Sequence, residues 1–130
     1  MKRIIVNGTF DILHSGHLAL LTYARSLGDH LVVAIDSDRR VKELKGANRP
    51  VNTQAERQEL LSNLRSVDEV RIFDSDPELV DIVAECAIMV KGSDYRDRPI
   101  VGSEVCSSIV FFERIDGFST TEKIQSISHR

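Results

Sequence analysis

The sequence is poor in residues that mark several protein classes. Its 130 residues include two cysteines, three prolines and no tryptophan, and aromatic residues make up 5% of the chain. With only Cys86 and Cys106, and no Cys-x-x-Cys spacing, we expect reduced thiols in or near the core. No apolar run in the sequence has the length of a membrane span, and we expect no signal peptide. We therefore expect a cytoplasmic protein without a membrane partner.

The charge balance limits the kinds of partner further. The net charge of −3 argues against broad nucleic-acid binding, which needs a basic face, but it permits a local basic pocket for a nucleotide. Apolar residues make up 42% of the chain and charged residues 28%, as in globular proteins. Residues 1–130 are expected to form one domain that buries a core without disulfides or metals.

A strand, a polar loop and a helix are predicted near the start of the chain. An apolar run over residues 4–6 precedes the loop, and a helical pattern of apolar residues follows it. The loop reads Gly8-Thr9-Phe10-Asp11 and then His14-Ser15-Gly16-His17. Helix N-termini attract anions, and a glycine lets a phosphate approach the backbone. In isolation His-x-Gly-His also fits two surface histidines beside a turn; after a buried strand it favours a phosphate site.

A second polar segment lies about a domain length further on. It runs Arg114-Ile115-Asp116-Gly117-Phe118-Ser119-Thr120-Thr121 and enters a predicted helix, with Ser119 and Glu122 at capping-box spacing. A glycine, three hydroxyl side chains and a helix N-terminus favour a second anion site. Taken alone, the pattern also fits an ordinary capped helix.

The rest of the chain alternates strand and helix patterns. Strands are predicted over residues 2–6, 30–35, 67–73, 86–90 and 109–112. Helices are predicted between them, with Thr53 or Asn52 as a cap, Pro77 in a first turn and Gly28 in a left-handed position after the first helix. This order predicts a Rossmann-like α/β/α sandwich around a five-stranded, mostly parallel sheet. Its ligand is expected at the carboxyl ends of the strands.

Residues 36–50 are highly charged and are expected to form a short helix that runs into a mobile loop. Lys42 and Lys45 lie three residues apart in this segment and can both reach inward. A solvated charged face is the other interpretation.

Together the two motifs resemble the signatures of the cytidylyltransferase-like nucleotidyltransferases. The resemblance implies that a substrate phosphate attacks the α-phosphorus of a nucleoside triphosphate and that pyrophosphate leaves, without a protein nucleophile. The catalytic residues that it implies are His14, His17, Lys45 and Arg114. The implied nucleotide-binding residues are Gly8, Thr9, Phe10, Ser15, Gly16, Lys91, Gly92, Asp94, Gly117, Phe118, Ser119, Thr120 and Thr121. Mg²⁺ is the expected cofactor, held mainly by the phosphates, so no protein metal ligand is assigned.

The sequence defines the phosphorylated acceptor substrate less closely than it defines the type of reaction. The segments Leu44-Lys45-Gly46, Arg49-Pro50-Val51-Asn52 and Val90–Tyr95 resemble adenylyltransferases that make ADP-heptose from ATP and heptose 1-phosphate. Residues 63–70 and Arg114 before Ile115-Asp116-Gly117 resemble glycerol-3-phosphate cytidylyltransferases as much. We favour the heptose enzyme. Asp11, Lys42 and Arg65 are candidates for acceptor binding. Arg65 is a candidate for the acceptor phosphate, because a guanidinium can hold a phosphate with two hydrogen bonds.

Two further expectations concern assembly and turnover. Members of the family are commonly dimers, so a homodimer is expected, with the first helix and residues 57–65 near the interface. A nucleotide-binding module that has lost turnover is the alternative from another class. Such relatives usually lack a histidine or the loop lysine, whereas this chain has both histidines and the lysine. We therefore predict an enzyme whose partners are a nucleoside triphosphate and a phosphorylated acceptor.

Overall fold

The protein is built on a single parallel sheet. The computed structural model describes residues 1–106 and 108–113, and the structural statements below concern these residues. The strands are β1 (Arg3–Gly8), β2 (His30–Asp36), β3 (Glu69–Phe73), β4 (Ile88–Gly92) and β5 (Ile109–Phe112). They lie in the order β3-β2-β1-β4-β5, and every neighbouring pair is parallel. The predicted five-stranded α/β architecture is confirmed.

Four helices follow strands or connect them. They are α1 (Ser15–Ser26), α2 (Asp38–Lys45), α3 (Gln54–Ser62) and α4 (Asp76–Val83), and a 3₁₀ turn covers Ser93–Tyr95. Ser37, Thr53 and Ser75 cap α2, α3 and α4, each by accepting the backbone N–H three residues further on. The predicted Thr53 cap and the short charged helix after β2 are therefore present. The predicted C-terminal helix lies outside the described residues.

The helices cover opposite faces of the sheet. Because side chains alternate along a strand, each strand contributes to two apolar clusters. One cluster, on the face that we call the α1 face, joins Ile4, Val6, Leu31 and Val33 with residues of α1 and α3. The other, on the α4 face, joins Ile5, Val32, Ala34, Phe73 and Met89 with residues of α4. Both cysteines are free and buried, in the cluster on the α4 face.

One predicted backbone feature is wrong. Helix α1 ends at Ser26, its C-cap residue Leu27 has right-handed backbone angles, and Gly28 does not have a positive φ. Gly28 instead provides space: a Cβ atom there would lie 2.6 Å from the carbonyl oxygen of Lys2 and 2.8 Å from Cδ1 of Ile4. The glycine therefore allows the chain to pass close to the start of β1.

Of the helices in residues 1–106 and 108–113, none combines the length and the apolar character that crossing a membrane requires.

Candidate active site

A cavity of about 460 Å³ opens at the carboxyl edge of the sheet. This is the edge where the sequence places its ligand, as expected for an open parallel sheet. Of the predicted site residues, the cavity brings together Gly8, Thr9, Phe10, His14, Gly16, His17, Lys45, Lys91, Gly92 and Asp94. Polar and aromatic residues that were not predicted as site residues also line it, namely Asn7, Asp36, Arg40, Arg49, Phe73 and Tyr95.

The two histidines form the cap of α1. His14 is the N-cap residue, and its Nδ1 accepts the backbone N–H of Gly16 at 3.1 Å. His17 reaches back, so that its Nδ1 accepts the backbone N–H of His14 at 3.2 Å. This reciprocal arrangement is a capping box in which imidazoles replace the usual hydroxyl and carboxylate. The histidines therefore hold the helix start in shape while they line the cavity.

The same hydrogen bonds fix the chemistry of the rings. A neutral imidazole carries one proton, and a nitrogen that accepts a backbone N–H cannot hold it. Since Nδ1 is the acceptor in both His14 and His17, the neutral form of each ring carries its proton on Nε2. Each ring can thus donate a hydrogen bond from Nε2, at a helix N-terminus whose partial positive charge favours anions.

Phe10 shapes the loop before the histidines. It is buried and adopts a φ of 50°, in the left-handed region that non-glycine residues seldom occupy. Its ring lies 5.1 Å from the His17 ring, measured between centroids, and close to Gly8, where a Cβ would meet the ring at 3.1 Å. Gly8 therefore leaves room for Phe10, and Phe10 supports one side of His17.

Asp11 does not line the cavity, and its carboxylate instead makes hydrogen bonds that hold the structure together. The residue is 1% exposed, and its carboxylate accepts the backbone N–H groups of Val51 and Asn52, both at 2.8 Å. It also accepts a hydrogen bond from Nε of Arg49 at 3.2 Å. Asp11 therefore fastens the segment before α3 to the loop that carries the histidine motif.

Arg57 is a second buried tie, and sequence reasoning did not assign it a role. It is 1% exposed, and Nη1 donates to the carbonyl oxygens of Thr9 at 2.9 Å and Asp36 at 2.8 Å. Nη2 donates to the Asp38 carboxylate at 2.9 Å, and Nε donates to the Asn52 carbonyl at 3.1 Å. In the sequence, Arg57 stands four residues before the apolar Leu61 in the same predicted helix. Residues four apart lie on the same face of a helix, so this spacing could have indicated a buried arginine.

Lys91 brings a cation into the floor of the cavity. It lies in β4, is 8% exposed, and its Nζ donates to the side-chain oxygen of Asn7 at 3.3 Å. The ammonium also sits 4.1 Å from the centre of the Tyr95 ring, within the range of a cation–π interaction. Burial lowers the pKa of Lys91, and the charges of Asp36 and Asp94 oppose this shift in part.

An ion pair borders the cavity where β2 ends. Nε of Arg40 donates to Asp36 at 2.8 Å, and the other end of the guanidinium pairs with Asp76 at the start of α4. The guanidinium carbon lies 5.3 Å from the centre of the Phe73 ring. Both charges of this pair are thus compensated within the protein.

Three further predicted residues within the described part of the chain do not line the cavity, namely Ser15, Lys42 and Arg65. Lys42 is exposed on α2 and does not line it, whereas Lys45 at the end of the same helix does. Ser15, the first residue of α1, is exposed. Arg65 borders a separate surface depression with Leu18 and Thr22 of α1. The predicted residues Arg114, Gly117, Phe118, Ser119, Thr120 and Thr121 lie outside the described residues.

Comparison with known proteins identifies the family of this chain. The model of the cytidylyltransferase-like family matches residues 5–123. The chain belongs to this family. The match starts in β1 and extends through the second predicted motif. The family assignment that the two motifs predicted is therefore confirmed.

Relatives of this cytidylyltransferase-like chain include longer proteins. It is 48% identical over 125 residues to the bifunctional protein HldE of Campylobacter fetus subsp. fetus, and 45% identical over 127 residues to that of Nitratiruptor sp.. Each match covers 95% of this chain and 27% of the relative, so the chain spans about a quarter of their length. A solved structure, the lipopolysaccharide core biosynthesis protein from Thermoplasma volcanium, is 27% identical with a TM-score of 0.74. The alignment covers 89% of this chain and 99% of that protein.

Proposed function

We propose that this domain transfers the adenylyl group of ATP to heptose 1-phosphate and releases pyrophosphate. The observation that carries the proposal is the paired His14 and His17 at the start of α1, facing a cavity that Lys45 and Lys91 also line. The likeness to bifunctional proteins HldE and to a lipopolysaccharide core biosynthesis protein supports a sugar phosphate as the acceptor. The sequence segments around Lys45 and Lys91 support the same choice.

The reaction is an in-line displacement at phosphorus. An oxygen of the acceptor phosphate forms a bond to the α-phosphorus, while the bond to the oxygen that bridges the α- and β-phosphates breaks. Pyrophosphate leaves with the electron pair. The enzyme needs to position both reactants and to stabilise the charge on the phosphate oxygens.

The chain's own groups provide this stabilisation at the start of α1. Backbone N–H groups of the first turn and the Nε2 protons of His14 and His17 are donors for the α- and β-phosphates. Lys45, at the end of α2 on the cavity rim, is assigned to the departing pyrophosphate. Arg114 and residues 117–121 are assigned to the β- and γ-phosphates by the family resemblance.

Mg²⁺ is part of the proposal, and the donor set of the cavity fits a metal that the substrate carries. Within residues 1–106 and 108–113, no three His, Cys, Asp or Glu side chains converge as a metal-binding cluster. The acidic residues that line the cavity and would approach the ion are Asp36 and Asp94. Mg²⁺ keeps several waters and binds mainly to nucleotide phosphates, whose charge it neutralises.

A panel of substrates tests the proposal. The purified chain is offered ATP or CTP with heptose 1-phosphate, glycerol 3-phosphate or no acceptor, in the presence of Mg²⁺, and pyrophosphate release is measured. We expect the fastest release with ATP and heptose 1-phosphate. A preference for CTP with glycerol 3-phosphate would make the chain a glycerol-3-phosphate cytidylyltransferase. Triphosphate binding without release in any combination would favour the non-catalytic module.

A homodimer is also proposed, on the basis of exposed apolar residues. Leu18 of α1 is 44% exposed and Leu60 of α3 is 45% exposed. Arg57, which lies within the predicted interface region, is buried inside the chain, so it is not available to a partner subunit. Light scattering at working concentration measures the mass, and the mass of a monomer would contradict the proposal.

A further inference from the structure

The cavity has two halves, one on each face of the sheet. The histidine motif belongs to the α1 face, because α1 packs there with Val6 and Val90. Asn7 and Lys91 are the next residues along β1 and β4, so their side chains point to the opposite, α4 face. Their mutual hydrogen bond agrees with this placement. The α4 half of the cavity therefore holds its own cation.

The cations around the cavity differ in whether they already have a carboxylate partner. Arg40 pairs with Asp36 and Asp76, and Arg49 pairs with Asp11. Lys91, by contrast, has no carboxylate oxygen within 4 Å in the part of the chain that the structure describes; its polar partner there is the uncharged Asn7. An ammonium has three donors, and burying its charge without an ion partner costs free energy. A cavity lined by such a group favours an anion.

The direction of the reaction indicates which anion this is. In an in-line displacement, the attacking and leaving oxygens lie on opposite sides of the α-phosphorus. In the proposed reaction the triphosphate binds at the start of α1, which puts the leaving pyrophosphate on the α1 side. The attacking phosphate then approaches from the α4 side, where Lys91 lies.

From this geometry we infer that Lys91 binds the phosphate of the acceptor and directs it at the α-phosphorus. The inference rests on the proposed reaction, and it differs from the nucleotide-binding role that family resemblance implies for this lysine. Lys91 keeps its protons throughout: its N–H groups bind phosphate oxygens that do not attack. It thereby offsets the repulsion between two anionic reactants. Tyr95, whose ring lies against the ammonium, is the positioning residue for it.

The test separates acceptor binding from nucleotide binding. Lys91→Met, Lys91→Arg and the wild-type chain are compared by calorimetry, first with the non-hydrolysable α,β-methylene analogue of ATP and then with heptose 1-phosphate added. Methionine retains the side-chain volume and removes a buried charge, so we expect the variant to fold, and thermal melting checks this. Lys2→Met is the control, since Lys2 is exposed before β1, at the other end of the sheet.

We expect Lys91→Met to weaken heptose 1-phosphate binding by about 10- to 100-fold, the usual worth of hydrogen bonds to a charged group. Affinity for the ATP analogue should stay unchanged, and Lys91→Arg should restore part of the loss. An effect confined to the analogue would assign Lys91 to the nucleotide and overturn the inference. Unchanged binding of both ligands would overturn it as well.

Failure of the proposed function is recognised separately, from the turnover of the wild-type chain. If glycerol 3-phosphate supports turnover and heptose 1-phosphate does not, the proposed acceptor is wrong. The Lys91 comparison is then made with glycerol 3-phosphate, because the lysine is assigned to the phosphate and not to the polyol. If neither phosphate ester binds the wild-type chain loaded with the analogue, both proposals are overturned.

Discussion

The imidazole rings of His14 and His17 lie stacked, with their centroids 3.8 Å apart and their planes inclined by 25°. Each ring is held through Nδ1 by a backbone N–H of the same helix start. The pair is therefore preorganised before any ligand binds, which is what electrostatic stabilisation of a transition state requires. One local structure serves both to begin a helix and to present two donors.

This double role predicts different outcomes for two substitutions of His17. His17→Ala should lower turnover by about 10²–10³, because a donor to the phosphates is lost. It should also cost about 1 kcal/mol of stability, since a capping hydrogen bond is lost. In His17→Asn, the side-chain oxygen can still accept the N–H of His14, so stability should recover while turnover stays low. The measurements are kcat and urea unfolding; turnover retained in the alanine variant would contradict the assignment of this site.

The two lysines of α2 provide a matched pair. Lys45 lines the cavity, whereas Lys42 is exposed on the same helix and does not line it. Lys45→Ala should reduce kcat by roughly 10- to 100-fold, the cost of losing a charged hydrogen bond. Lys42→Ala should have a much smaller effect. Equal losses in the two variants would show that the helix contributes only a general positive charge.

Asp11 is expected to matter for stability. Asp11→Asn replaces one carboxylate oxygen by an N–H₂ group, which cannot accept a hydrogen bond. The donors that lose their acceptor are either Arg49 and Val51, which share Oδ2, or Asn52, which uses Oδ1. Leaving buried donors without an acceptor should cost about 1–3 kcal/mol in urea unfolding. Asp81→Asn, at an exposed position of α4, is the control. If both variants unfold at the same urea concentration, Asp11 does not fasten the segment before α3.

A pH-dependent contribution to stability is expected at the other end of the sheet. The Glu69 carboxylate lies 2.9 Å from both Nε2 of His30 and Nη2 of Arg3. The hydrogen bond with His30, and then that with Arg3, lowers the pKa of Glu69. A carboxyl group with a lowered pKa stabilises the fold above its unfolded pKa of about 4.3, and this contribution disappears as the pH falls through the folded pKa.

Glu69→Gln should therefore destabilise the protein by about 1 kcal/mol at neutral pH. The difference from the wild-type chain should vanish as the pH falls below the lowered pKa of Glu69. Urea unfolding measured across this range checks the prediction. Glu59→Gln, at an exposed position of α3, controls for the general effect of removing a negative charge. A difference that persists unchanged in acid would mean that the charge of Glu69 is not the cause.

The parts of the fold that could be predicted from the sequence are those that local patterns determine. Apolar runs located all five strands, and a hydroxyl residue three positions before a glutamate located the start of α3 at Thr53. Gly28 shows the limit of such reasoning. A glycine after a helix usually adopts a left-handed conformation, but here the requirement is space beside β1, which only the packed structure reveals.

The candidate site likewise contains residues that could be predicted from the sequence and residues that could not. His14, His17 and Lys45 could be identified because each belongs to a contiguous motif. Asp36, Arg40 and Phe73 could not, because they belong to no such motif and join the cavity only once the strands are ordered. The environment of Asp11 was missed for a related reason: its partners lie about forty residues away in the sequence.

The buried guanidinium of Arg57 bears on how new acceptor specificities can be engineered. It joins the histidine loop, the end of β2, the start of α2 and the entry to α3 by hydrogen bonds to Thr9, Asp36, Asp38 and Asn52. A chimera that exchanged α2 alone would replace Asp38, the partner of Arg57 on that helix, without changing the arginine. Residues 36–57 should therefore be exchanged between relatives as one segment. The loop that contains Thr9 should be kept, because the carbonyl oxygen of Thr9 accepts a hydrogen bond from Arg57.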